Sequence, residues 1–255
     1  MSIAEQTPAA PVMAPRPPRT WKFVGTAIWG LLAFGAMSLA QVAGLIAVLG
    51  FFADADMSEA SIKTVSEHGA AIAVSVLLGL PATLLVLWLA TRLARRSFAA
   101  YLALRRPTAK DILLALAASL ALLATLDAIA VIAGYPVSPD FVLNSVRSAR
   151  DSGTLWLLLL GFCVAAPVSE EFIFRGFVYR GWSATALGPA GAIVLSSALF
   201  ALIHVQYEWF YLGGIFAIGS LFGYLRYRLR STWTTVIAHG FYNLVAAIQG
   251  IWLIS

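Results

Sequence analysis

Seven apolar runs follow one another along the 255-residue chain, at about residues 23–52, 70–90, 112–133, 154 onward, 190–205, 209–225 and 233–253. Such runs limit the possible folds more than any motif does. About 20 apolar residues in helical form cross the ~30 Å hydrocarbon core of a bilayer, and inside that core every backbone polar group must be satisfied within the structure. With 60% hydrophobic and 11% charged residues, a soluble domain is excluded. The sequence predicts an all-α fold, a polytopic membrane helix bundle of about seven transmembrane helices. Pro81 is expected to kink the second span.

The charges are ordered along this alternation. Arg92, Arg95, Arg96, Arg105, Arg106 and Lys110 fall in one connection, and Arg226, Arg228 and Arg230 in another, while Asp54, Asp56, Glu59 and Glu67 face only Lys63 in a third. Basic connections stay in the cytoplasm. The net charge of +5 therefore reads as topology, with no nucleic acid partner implied. Residues 1–20 hold five prolines and no apolar periodicity, which predicts a disordered cytoplasmic tail ahead of a transmembrane domain at 21–255. The run at 23–52 is long enough to span and tilt, unlike a signal peptide. These features point to a bacterial inner membrane with the N-terminus cytoplasmic. Residues 134–153 read as a polar loop, and Cys163 as a packing residue.

Against this apolar background the buried polar residues stand out. Ser169-Glu170-Glu171-Phe172-Ile173-Phe174-Arg175-Gly176 lies inside the fourth run, where each charge costs roughly 3 kcal/mol or more at a helix centre. Glu171 and Arg175 are four apart with the acid first, the favourable order for an ion pair on one helix face. Glu170 sits about 100° round the helix, free to face another element. Pro167 is expected to open a helical break just ahead of the pair. Phe200 precedes His204 by one turn, and His239 precedes Asn243 by one turn, on two further spans. His68 reads as a solvated loop residue, and Asp127 as a carboxylate snorkelling outward or satisfied by a Ser or Thr neighbour.

A carboxylate and an imidazole on facing helices can hold and deprotonate a water. A second imidazole with an amide N–H can stabilise the oxyanion of a tetrahedral intermediate. Ser169, Ser196 and Ser197 lack a Gly-x-Ser-x-Gly elbow or a Ser-x-x-Lys pairing, which disfavours serine chemistry. A silent membrane scaffold or immunity-type protein, and a proton-coupled transporter, are the other readings of such a cluster, although no inverted repeat is visible.

Glu170-Glu171-x-x-x-Arg175, Phe200-x-x-x-His204 and His239-x-x-x-Asn243, in that order, resemble the three motifs of the CAAX-protease and bacteriocin-processing family of intramembrane endopeptidases, which includes the type II CAAX prenyl endopeptidase. The motif core is about 154–250. The resemblance implies hydrolysis of a membrane-anchored peptide or protein substrate at a site opening toward the cytoplasm. It further implies that Glu170 and His204 activate water, that His239 and Asn243 stabilise the oxyanion, and that Glu171 and Arg175 position the site. Glu170, His204 and His239 could in principle hold Zn²⁺ as a His₂Glu set. No His-Glu-x-x-His pair is present and Arg175 brings a cation close by, so the expectation is that no metal cofactor is needed. At about 1.5 Å per residue His204 would lie deeper than Glu170 and His239, unless the chain at Gly188-Pro189 dips inward.

Overall fold

The computed structural model describes residues 18–52 and 68–255. The acidic connection and most of the expected tail lie outside the described residues. Among those described, the chain folds as helices without strands, in the order α1 (Phe23–Phe52), α2 (Gly69–Leu93), α3 (Phe98–Leu102), α4 (Ala109–Ala133), α5 (Asp140–Asp151), α6 (Leu155–Ser183), α7 (Gly188–Leu202), α8 (Trp209–Leu229) and α9 (Thr232–Leu253). Five of these, α1, α2, α4, α6 and α9, are long and apolar enough to cross a membrane. The shorter apolar α7 and the 21-residue α8 complete the bundle. The fold is a helical membrane bundle, as the apolar runs imply.

Local signals set several boundaries. Thr108 caps α4 with a capping box, its hydroxyl accepting from the Asp111 N–H at 3.2 Å while the Asp111 carboxylate accepts from the Thr108 N–H at 3.1 Å. Gly134, at φ 76°, ends that helix in the left-handed conformation. Ser231 caps α9 by accepting from Thr234 N–H.

α6 is the axis of the bundle. It packs on α1, α2, α3, α7, α8 and α9, and every residue from Glu171 to Tyr179 is buried. The break expected at Pro167 does not occur. The chain stays helical but widens into a π turn at Gly161–Ala165, resumes α geometry at Ala166–Glu171, and widens again at Phe172–Val178. α2 is one continuous helix with Pro81 inside it.

The 134–153 segment is not simply a loop. Its second half forms the amphipathic α5, which buries Ser145, Val146 and Ala149 against the start of α2, the start of α6 and the end of α9. Pro136 and Pro139 obscure it in the sequence. Pro139 is in fact the residue preceding the helix, where a missing N–H costs nothing.

At the arginine-bearing end the connection after α2 fastens the bundle. Thr232 donates its hydroxyl to Leu102 O at 2.5 Å, its backbone N–H reaches Ala103 O, and Arg180 donates to Ala100 O at 3.0 Å. Arg19 is held too, its N–H on Ala94 O at 3.0 Å and its guanidinium 4.3 Å from the Trp21 ring.

Candidate active site

The site begins with a bulge. In the π turn, Ala166 N–H bonds back to Gly161 O rather than to Phe162 O. The next residue able to reach Phe162 O in π register is Pro167, which has no N–H. The side chain of Asn243 fills the gap, donating from Nδ2 to Phe162 O at 2.8 Å. One turn earlier on α9, Gly240 lies so close to Cys163 that an added Cβ would run into its carbonyl oxygen. The irregular backbone of α6 and the face of α9 that carries His239 and Asn243 are thus fitted to each other.

Glu171 and Arg175 form the expected ion pair, Nη1 to Oε1 at 3.0 Å, with both side chains fully buried. Arg175 also donates from Nη2 to Gly219 O at 2.8 Å. Its guanidinium lies 4.7 Å from the Phe200 ring and 5.8 Å from both Phe174 and Phe222. A desolvated cation gains about 2 kcal/mol or more from such ring faces. The same Glu171 oxygen accepts from His239 Nδ1 at 3.1 Å. That bond requires a hydrogen on Nδ1 and points Nε2 at Glu170, whose carboxylate is 3.8 Å away.

His204 sits against Phe200 as its spacing suggests, with ring centroids 4.7 Å apart at 64°. Its Nδ1 lies 2.6 Å from Phe200 O, so Nδ1 carries the hydrogen and Nε2 presents a lone pair. The Phe200 ring also contacts His239, at 6.0 Å, so the two imidazoles flank a single aromatic ring despite their separation along the chain. Glu170 reaches His239 and not His204 within ion-pair distance.

Glu170, His204, His239 and Asn243 all line one cavity of about 950 Å³. Glu171 and Arg175 lie behind its wall. Among the described residues, no three His, Cys, Asp or Glu side chains are grouped as metal ligands. His204 directs Nδ1 to a carbonyl, and Arg175 holds the cationic position beside Glu171.

Three participants carry no signal in the motifs. Gly219 gives Arg175 its backbone acceptor, and the Phe222 ring lies 5.1 Å from that of His239, tilted by 34°, both from α8, whose buried face is free of charge until Arg226. Tyr207, in the turn after α7, also lines the cavity. Burial, and then the nearby Glu170 carboxylate, raise its hydroxyl above the ordinary tyrosine range and keep it a neutral donor. Asp127 on α4 accepts from Gln249 Nε2 at 2.8 Å. Its partner is an amide on α9 rather than the Ser or Thr expected.

Residues 152–245 match the profile of the family described as type II CAAX prenyl endopeptidase Rce1-like. The chain is also similar to UPF0177 protein YbdI of Lactococcus lactis subsp. lactis, 34% identical over 96 residues, which cover 36% of this chain and 49% of that relative. The chain thus spans about half the length of the curated relative it matches. No solved structure matches it. The region 152–245, which carries all three motifs, is thus similar to the type II CAAX prenyl endopeptidase Rce1-like family.

Proposed function

We propose that this chain is an intramembrane endopeptidase that cleaves membrane-anchored peptide or protein substrates with a glutamate-activated water. The observation that carries this reading is the double use of Glu171. One oxygen accepts from both Arg175 and His239, which fixes the His239 ring and leaves Glu170 as the carboxylate open to the cavity. Glu170 is 18% exposed and takes the proton of the attacking water. The His204 Nε2 lone pair holds that water. His239 turns Nε2 toward the developing oxyanion while its Nδ1–H stays on Glu171. The second N–H of Asn243, not used by Phe162 O, is the other donor. Glu170 then returns its proton to the leaving amine.

The basic ends of α2, α6 and α8 support an orientation with that face of the bundle in the cytoplasm of a bacterial inner membrane and the N-terminus on the same side.

Purified protein should cleave a membrane-tethered peptide, and Glu170→Gln, His204→Ala and His239→Ala should each abolish cleavage while the proteins still insert and purify. General bases contribute about 10²- to 10⁴-fold. Glu170→Gln retaining more than about a tenth of the rate would remove it as the base. Wild-type protein inactive on every tethered peptide would favour a silent scaffold. The reading also needs no metal, so exhaustive chelation should leave the rate unchanged. Loss of activity restored by one equivalent of zinc per chain would replace the glutamate mechanism with a metallopeptidase.

A further inference from the structure

The cavity that holds the reacting groups continues beyond them to a second polar position. Asp127 of α4 and Gln249 of α9 both line it, and Gln249 Nε2 donates to Asp127 Oδ2 at 2.8 Å. Along α9, Gln249 follows His239 by about 15 Å and Asn243 by about 9 Å, at ~1.5 Å per residue. Two tyrosines of the lining link the positions. Tyr242 lies within electrostatic range of Asp127 and of Tyr207, and Tyr207 within range of Glu170.

Asp127 differs from the other carboxylates of this region. Glu171 has Arg175 and His239 beside it, and Glu170 has His239 Nε2 at 3.8 Å. Asp127 is half-buried, and among the described residues its hydrogen-bond partner is the neutral Gln249 amide. That N–H occupies one acceptor position of a group that offers about four, and it leaves the charge in place. An ionised side chain inside a membrane helix costs roughly 3 kcal/mol without a partner. The Oδ1 of Asp127 and the Oε1 of Gln249 are then neighbouring acceptors at the cavity wall, with electron-rich tyrosine rings close by. A negative charge, a second acceptor and aromatic faces together suit an ammonium or guanidinium group.

We infer that Asp127, oriented by Gln249, binds a lysine or arginine side chain of the peptide substrate. This rests on the peptidase reading above and narrows its substrate class to peptides with a basic residue at a set distance from the bond cleaved. An extended peptide advances about 3.3 Å per residue, so the 15 Å along α9 corresponds to about four residues. Gln249 is a positioning residue, holding one carboxylate oxygen so that the other meets the cation.

Tethered peptides with lysine, glutamine or glutamate four residues to either side of the cleaved bond test this. On one side, wild-type protein should cleave the lysine peptide with a kcat/KM about tenfold above that of the glutamine peptide, the size of one charge-assisted hydrogen bond. The glutamate peptide should be cleaved more slowly still. Asp127→Asn should erase the lysine preference and leave the glutamine peptide unchanged, Asp127→Lys should favour glutamate, and Gln249→Leu should reduce the lysine preference part way. Equal cleavage of lysine and glutamine peptides by wild type, or a lysine preference that survives Asp127→Asn, would overturn the inference. Displacement of a fluorescent lysine peptide from Glu170→Gln protein asks the same question without turnover and with the subsite intact. Unlabelled lysine peptide should compete about tenfold better than glutamine peptide, and equal competition would again overturn the inference. A wild-type protein that cleaves no peptide but keeps this binding preference would remove the peptidase reading and leave the subsite standing.

Discussion

Arg175 shows how a charge can be kept in a membrane helix without water. Glu171 neutralises it, Gly219 O accepts from it, and three phenyl rings line it. A buried pair need not stabilise a fold, but removing one partner is costly because the other charge is stranded, typically by about 3–5 kcal/mol. Glu171→Gln and Arg175→Met should therefore each lower the thermal midpoint more than the double variant does, since the double leaves a neutral amide that still accepts from His239. Thermal unfolding of the three proteins in detergent measures this. Strictly additive losses would show that the two residues act independently. The pair is legible in the sequence itself, because i,i+4 spacing within an apolar run leaves an acid and a base little choice but each other. Its link to His239 is not, since nothing in either motif says which carboxylate the imidazole faces.

Among the elements, α6 departs most from what its sequence suggests. Pro167 reads as a helix breaker, yet the missing N–H is absorbed by a π turn and by an amide from α9. Sequence periodicity cannot see this, because the compensating donor lies 81 residues away. The close approach of Gly240 to Cys163 belongs to the same fit. Gly240→Ala should force α9 away from α6 and cost about 1–3 kcal/mol of stability, with a fall in cleavage rate as His239 and Asn243 shift. Gly35→Ala, where nothing stands within 4 Å of an added Cβ, should instead be neutral or stabilise by up to about 1 kcal/mol. Midpoints and rates for both variants decide the matter. A Gly240→Ala protein with wild-type stability and rate would show that the contact is slack. The long spans are readable to within a few residues from their apolar runs, whereas α5 escapes such a reading because its amphipathic repeat at Val142, Val146 and Ala149 is short and follows two prolines.

For the molecule as a whole, an unequal set of helices has a mechanical meaning. α1 has 30 residues and α7 only 15, a rise of about 45 Å against about 22 Å. The hydrocarbon core around them is about 30 Å thick. Lipid beside α7 has to thin, at a fraction of a kcal/mol per Å of mismatch, and α7 borders the cavity. The bilayer is then pinched beside the cavity, which shortens the apolar distance between the water layer and Glu170. Acyl-chain length becomes a control on turnover. In vesicles of increasing phosphatidylcholine chain length, the cleavage rate should fall steadily as the bilayer thickens while Glu170→Gln stays inactive throughout. A rate indifferent to thickness would mean that lipid deformation at α7 has no part in delivering substrate.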